Sequence, residues 1–349
     1  MLSDRATAQS RLARLFKVNH SALLCINDRT PIGRPTDLYS SRGSRTDVFA
    51  VKFRPNSPFN SIFSSHGKDP RQQTHPSMKL IKLPEVAKTK HISFQLYRQT
   101  KTTRKFGYDY FVSTPSGQKP ERGWPLLLFL HGSGESQNGE GDIQYTLRHG
   151  IPKIILCYDR LKDGQEPKID IPAYCQSENP SSDDFSGTPV PEEVCKFYAE
   201  NFITVSPSLD KKYGYGWKAD VLNALLEEML PNLEVDLDRV HITGFSMGGC
   251  GVWELGVYCS ERFASLVPIC GEVASNIHRT AQIPQWIFHG DADRIVPLEH
   301  SQEMYQALMN ANAKNVKFTI YPKVHHDAWT ITYNNIQVGQ WILEQKRGS

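Results

Sequence analysis

Long apolar runs are missing from this chain of 349 residues, and the longest, such as Leu126 to Leu130, fall far short of the roughly 20 residues that span a bilayer or the roughly 7 to 15 of a signal-peptide core. A soluble, not conventionally secreted protein is therefore expected. Paired cysteines are missing too. The seven Cys (25, 157, 175, 195, 250, 259, 270) are odd in number, widely spaced and without a C-x-x-C pair, which argues against a disulfide or zinc framework and for a reducing compartment. Proline and glycine, at 22 and 24, are not in excess, so collagen-like and low-complexity classes drop out. With 39% hydrophobic and 22% charged residues, the chain has the material for a folded core. Its length suits one large domain with a tail, or two ordinary domains.

Glutamate is wholly lacking from residues 1–77, which hold twelve Lys and Arg against five Asp, a net +7 that leaves −4 for the remainder. A basic, Ser/Pro/Asn-rich leader ahead of a mildly acidic body predicts a boundary near Met78. The leader is expected to be a disordered extension, or to precede a translation start at Met78. The rival is a mitochondrial presequence, since Leu12, Leu15 and Phe16 share a helical face beside Arg11, Arg14 and Lys17, although Asp4 speaks against it. A cytoplasmic location is otherwise expected. Scattered basic residues with few aromatics give no nucleic-acid arm.

From 78 to 349 short β-type runs alternate with helical stretches, the pattern of an α/β domain whose mostly parallel sheet is covered by helices on both faces. Strands are predicted at Tyr108 to Ser113, Leu126 to Leu130, Phe202 to Val205, Val240 to Thr243, Ala264 to Val267, Gln285 to Phe288 and Val316 to Tyr321. Helices are predicted at Ala219 to Leu230, Cys250 to Tyr258, about Leu298 to Ala313, and Ile336 to Leu343. Between Cys157 and Glu200 no sustained period is visible and acids are frequent, so 157–200 is expected to be a lid-like or specificity insertion.

Val240-His-Ile-Thr-Gly244-Phe-Ser246-Met-Gly248-Gly249 reads as a strand, a G-x-S-x-G turn and a helix. Such an elbow exposes a serine hydroxyl above the sheet edge, and its strained backbone tolerates only small neighbours. A Gly-rich helix start would match the pattern without chemistry, but strand, elbow and helix together favour a nucleophile at Ser246. Serine needs a base to take its proton, and the base needs an acid to fix its tautomer. On this type of sheet the acid and then the histidine follow the serine in chain order. Asp291 and Asp293 compete in His289-Gly-Asp-Ala-Asp-Arg-Ile-Val-Pro297. Asp293, further out in the loop, is favoured, while Asp291 suits closing the turn. His325 and His326 are adjacent, and the residues alone do not choose between them. An oxyanion needs backbone donors, and the glycine loop after Leu126 to Leu130 offers Ser133 N–H, with Met247 N–H as the second.

With these residues in place the body resembles the α/β-hydrolase superfamily, and within it the phospholipase/carboxylesterase branch that includes feruloyl-esterase-like and polyhydroxybutyrate-depolymerase-like enzymes. The resemblance rests on Pro125 to Glu135, Val235 to Gly249, Val267 to Gly271, His289 to Pro297 and His326 to Thr330. It implies Asp293 as the acid and His326 as the base, and a serine hydrolase of carboxylic esters or thioesters working on a small-molecule substrate through an acyl-enzyme. Peptidase or amidase activity with the same three residues, and a non-catalytic binding protein of this fold, are the rivals. Trp217 and Trp329 are candidate pocket walls. Cys250 and Cys270 read as buried fillers, with a reactive thiol near the elbow as the alternative, and Glu135 and Glu272 as possible cleft residues. The histidines come from separate loops without zinc-type spacing, and no phosphate or dinucleotide loop is present, so no metal and no cofactor are expected.

Overall fold

The computed structural model describes residues 89, 93–97, 107–138, 143–171 and 187–348. All belong to the second of the chain's two units, 74–349. The leader expected over 1–77 lies outside the described residues.

Among the described residues, eight strands form one sheet: β1 (Phe94–Tyr97), β2 (Asp109–Ser113), β3 (Trp124–Leu130), β4 (Ile203–Ser208), β5 (Val235–Phe245), β6 (Ser265–Ile269), β7 (Gln285–Gly290) and β8 (Val316–Tyr321). Their order is β1-β2-β4-β3-β5-β6-β7-β8. The pairs β1·β2 and β2·β4 are antiparallel, and every pair from β4 to β8 is parallel. The parallel part follows from the sequence of β3, whose seven residues are all buried. A strand covered on both faces has no polar side to show.

Alternation along β3 builds the two cores. Leu126, Leu128 and Leu130 join one apolar cluster, while Leu127 and Phe129 join the other, because successive side chains leave opposite faces of a strand. Helices α3 (Ala219–Met229), α4 (Met247–Tyr258) and α5 (Leu298–Asn310) cover the first face through Leu222, Leu225, Val252, Trp253, Met304 and Leu308. Helices α1 (Gly150–Lys162), α2 (Glu192–Asn201), α6 (Ala328–Tyr333) and α7 (Ile336–Glu344) cover the second through Ile151, Ile155, Val194, Trp329 and Val338. No helix among the described residues is long and apolar enough to cross a membrane.

In the stretch from Cys157 to Glu200 the expected lack of a regular period does not hold at the ends. Its ends are helical, as the second half of α1 and nearly all of α2, while 172–186 lies outside the described residues. At the far side of the sheet, β8 ends the strand order. Its Lys317 ammonium lies 4.6 Å from the Trp286 ring centroid and 5.6 Å from that of Trp341.

Candidate active site

In a parallel sheet the loops after the strands gather at one edge, and here those after β3, β5, β7 and β8 carry the singled-out residues. β5 ends at Phe245 and α4 begins at Met247, which leaves Ser246 alone at the turn with φ 54° and ψ −123°. Such a backbone costs an L residue on the order of 1–3 kcal/mol and persists only where the surroundings enforce it. The flanking glycines show the enforcement. A Cβ on Gly248 would stand 2.0 Å from the Leu130 carbonyl oxygen and 2.8 Å from that of His131, and one on Gly244 would stand 2.6 Å from the Gly248 oxygen. The start of α4 is thus pressed against the end of β3.

Ser246 Oγ is 3.0 Å from His326 Nε2, and His326 Nδ1 is 2.7 Å from Asp293 Oδ2. Asp293 accepts at Nδ1, so the ring proton sits there and Nε2 presents its lone pair to the serine. The second carboxylate oxygen accepts from the backbone N–H groups of Ile295 at 2.8 Å and Val296 at 3.0 Å. The Asp293 side chain is fully buried. Burial by itself disfavours the charge, but the hydrogen bonds from His289 and His326, with the main-chain donor Ile295, outweigh it and hold the carboxyl below the usual carboxylate range.

Of the competing pairs, Asp291 accepts from the backbone N–H of Lys323 at 2.5 Å, a residue at φ 61°, and so fastens the turn after β8 to the turn after β7. It is His326, not His325, whose ring joins Ser246 to Asp293.

The loop after β3 turns as a short 3-10 segment at Ser133–Glu135, with Ser133 exposed and Glu135 buried. His131 anchors it. Its Nδ1 donates to the Gly132 carbonyl at 2.7 Å and its Nε2 accepts from the Leu209 N–H at 3.1 Å, tying the loops after β3 and β4. Burial drives its pKa down to about 4, so the ring is neutral. Trp217, one of the two candidate pocket walls, is only 3% exposed. Its Nε1–H donates to the His131 carbonyl at 3.1 Å and its ring meets Tyr108 edge-on, so it braces the loop from inside. Trp329 stacks on Phe245 with centroids 4.3 Å apart and meets the His326 ring edge-on at 5.3 Å.

Cys250 is a covered thiol that accepts from the Glu272 N–H at 3.2 Å, and burial raises its pKa to about 12, which suits a filler better than a nucleophile. Glu135 faces inward, 3.7 Å from Arg148 Nη1 and 3.6 Å from His149 Nε2. Sequence reading passed over Arg148, His149 and, above all, His289. The last is fully buried, with Nε2 2.9 Å from the Val296 carbonyl and 3.4 Å from Asp293 Oδ2, and Nδ1 2.7 Å from Ser301 Oγ. The one sequence signal for it was its place at the head of the loop that carries Asp293.

The sheet and its elbow have the α/β-hydrolase fold. Residues 209–338 match the Phospholipase/Carboxylesterase family. Acyl-protein thioesterase 1 of Debaryomyces hansenii is 28% identical over 122 residues, which are 33% of this chain and 53% of that protein. Acyl-protein thioesterase 1 homolog 2 of Dictyostelium discoideum is 25% identical over 114 residues, 31% of this chain and 51% of that protein. The chain spans about half the length of the curated relatives it matches. The crystal structure of a thermostable esterase shares the fold, with a TM-score of 0.54 and 22% identity over 73% of this chain and 64% of that one. The likeness is thus to carboxylesterases and thioesterases over residues 209–338 and, in fold, to an esterase over most of the described residues.

Proposed function

We propose that this protein is a serine hydrolase that cleaves carboxylic esters or thioesters through an acyl-enzyme. Ser246 Oγ attacks the substrate carbonyl carbon while His326 Nε2 takes its proton. Asp293 orients the imidazole and stabilises its charged form. The N–H groups of Ser133 and Met247 hold the oxyanion of the tetrahedral intermediate, a type of contact whose loss costs about 2.7–4 kcal/mol of barrier. His326 then protonates the leaving alcohol or thiol as the carbon–oxygen or carbon–sulfur bond breaks. Water, deprotonated by the same nitrogen, releases the acid and restores Ser246.

The observation that carries this reading is the continuous chain from Ser246 Oγ through His326 to Asp293, at 3.0 and 2.7 Å, on a residue held at positive φ. The named activity of the two curated relatives supports including thioesters beside oxyesters. Free thiols at the five described cysteines suit a reducing, cytoplasmic setting.

A fluorophosphonate probe on the folded protein, with the modified peptide mapped, tests the nucleophile. Labelling at Ser246 is expected, and an unlabelled Ser246 overturns the proposal. Matched oxyester, thioester and amide substrates then rank the bonds cleaved, with the amide expected to be slowest.

A further inference from the structure

One group at the elbow has no task in the chemistry above. Cys270 follows β6 directly and sits at φ 40°, a conformation that suits glycine and costs a cysteine. Its thiol is completely buried and donates to the His326 carbonyl at 3.6 Å. One ligand atom from each of Cys270, Asp293 and His326 lies within 4.8 Å of the other two.

Those three donors are a thiol, a carboxylate and an imidazole, the set that zinc takes, whereas magnesium and calcium prefer oxygen alone. Around a tetrahedral zinc with bonds of about 2.0–2.3 Å, neighbouring donors stand roughly 3.3–3.8 Å apart. To reach coordinating distance, the longest side, at most 4.8 Å, closes by about 1 Å, and the 2.7 Å side between His326 Nδ1 and Asp293 Oδ2 opens by roughly 0.6–1.1 Å. The way in is past His326, whose side chain is 20% exposed while that of Asp293 is closed. Sequence spacing gave no sign of the set, because its members follow three different strands.

We propose that Cys270, Asp293 and His326 form an inhibitory site for a thiophilic divalent cation, zinc by the chemistry of the donors. On binding, the Cys270 proton leaves to solvent as the sulfur–metal bond forms. Asp293 and one His326 ring nitrogen give lone pairs, water fills the fourth position, and no oxidation state changes. Coordination at Nδ1 breaks the 2.7 Å bond to Asp293 and moves the ring proton to Nε2. With Nε2 protonated, the imidazole no longer accepts a proton from Ser246. The inhibitory outcome rests on the hydrolase reading, whereas the binding does not.

The test titrates wild type and Cys270→Gly with zinc chloride, following hydrolysis of an activated aryl ester and reversing with a chelator. Each protein is normalised to its own zinc-free rate. Glycine suits the positive φ, so this variant keeps the turn, and Cys270→Ser serves as a second variant close in size. Both proteins are also titrated with cobalt(II), read by the thiolate-to-metal charge-transfer band. The expected result is chelator-reversible inhibition of wild type, roughly an order of magnitude or more extra zinc needed for the glycine variant (a difference of about 1.4 kcal/mol or more), and a cobalt band in wild type alone. Equal zinc sensitivity of wild type and Cys270→Gly overturns the proposal, as does a wild type without the cobalt band. Should no ester be hydrolysed at all, the cobalt band still decides the metal site while the hydrolase reading fails.

Discussion

His289 and His326 converge on a single oxygen: Asp293 Oδ2 lies 2.7 Å from His326 Nδ1 and 3.4 Å from His289 Nε2. Because the Val296 carbonyl can only accept, His289 carries its proton on Nε2, shares it between that carbonyl and the carboxylate, and accepts from Ser301 at Nδ1. The buried carboxylate is therefore held from both sides. His289→Leu removes that donor, and His289→Gln keeps an N–H near the same point. Since a hydrogen bond to a charged group is worth about 1.5–3 kcal/mol, kcat on an aryl ester is expected to fall by roughly 10- to 100-fold in the leucine variant. KM should change little, and glutamine should restore part of the rate. An unchanged kcat for His289→Leu would reject a positioning role.

Asp293→Asn leaves the size of the side chain and reverses its hydrogen-bonding sense toward His326. Holding the wrong tautomer is expected to cost about 10⁴ in kcat, with the melting temperature close to wild type. Steady-state kinetics beside a thermal melt check this. An asparagine variant that stays within an order of magnitude of wild type contradicts the role given to Asp293.

Gly248→Ala places a methyl 2.0 Å from the Leu130 carbonyl oxygen, which is backbone and has little room to move. Overpacking of this kind costs about 1–3 kcal/mol. Reduced stability in urea is expected, together with loss of activity as the Met247 and Ser133 N–H groups are pushed apart. A variant with wild-type stability and kinetics would show that the elbow is softer than described.

Stability should fall as pH drops from about 6.5 toward 4, before the carboxylates titrate. His131 and His241 are fully buried, and burial lowers their pKa values to about 4 and about 3, against about 6.5 in an unfolded chain. Between those limits the unfolded state binds the extra protons, so stability rises with pH. Asp293, whose carboxyl is held below its usual range, adds a further loss below about pH 4. His241→Gln should reduce the proton uptake on unfolding between pH 4 and 6.5 by about one, measured from urea midpoints across that range. A pH-independent midpoint there would mean that both rings find protons in the folded state.

Strands such as β3, β4 and β6 were legible because buried parallel strands are short apolar runs between turn signals, and the elbow because Gly244, Ser246 and Gly248 are local. The rest was hidden for physical reasons. In α1, Gly150 through Cys157 are all buried, and a helix covered on every side has no polar stripe to give it a period. In α2 the buried Val194, Cys195, Tyr198 and Ala199 have helical spacing, but acids on the outer face made the stretch look unstructured. Helix α6 is six residues long and rests on Asp327, which accepts from Thr330 N–H at 2.9 Å, too short to register by period. Arg148 could not be read as a neighbour of Glu135, since only the folded sheet brings their segments together, and Cys270 could not be read as a neighbour of Asp293 and His326 for the same reason.

Lys317 is spread over two indole rings on the last strand of the sheet, and this has a consequence for the protein in a crowded solution. A strand with unpaired backbone groups is a template for another copy, and a charged side chain fixed there makes pairing costly because the charge would have to be buried with it. The two tryptophans hold the ammonium in one place instead of leaving it to swing aside. Among the described residues the sheet can therefore stay open on that side without becoming adhesive, and Lys317→Val would remove the guard while leaving every loop of the site untouched.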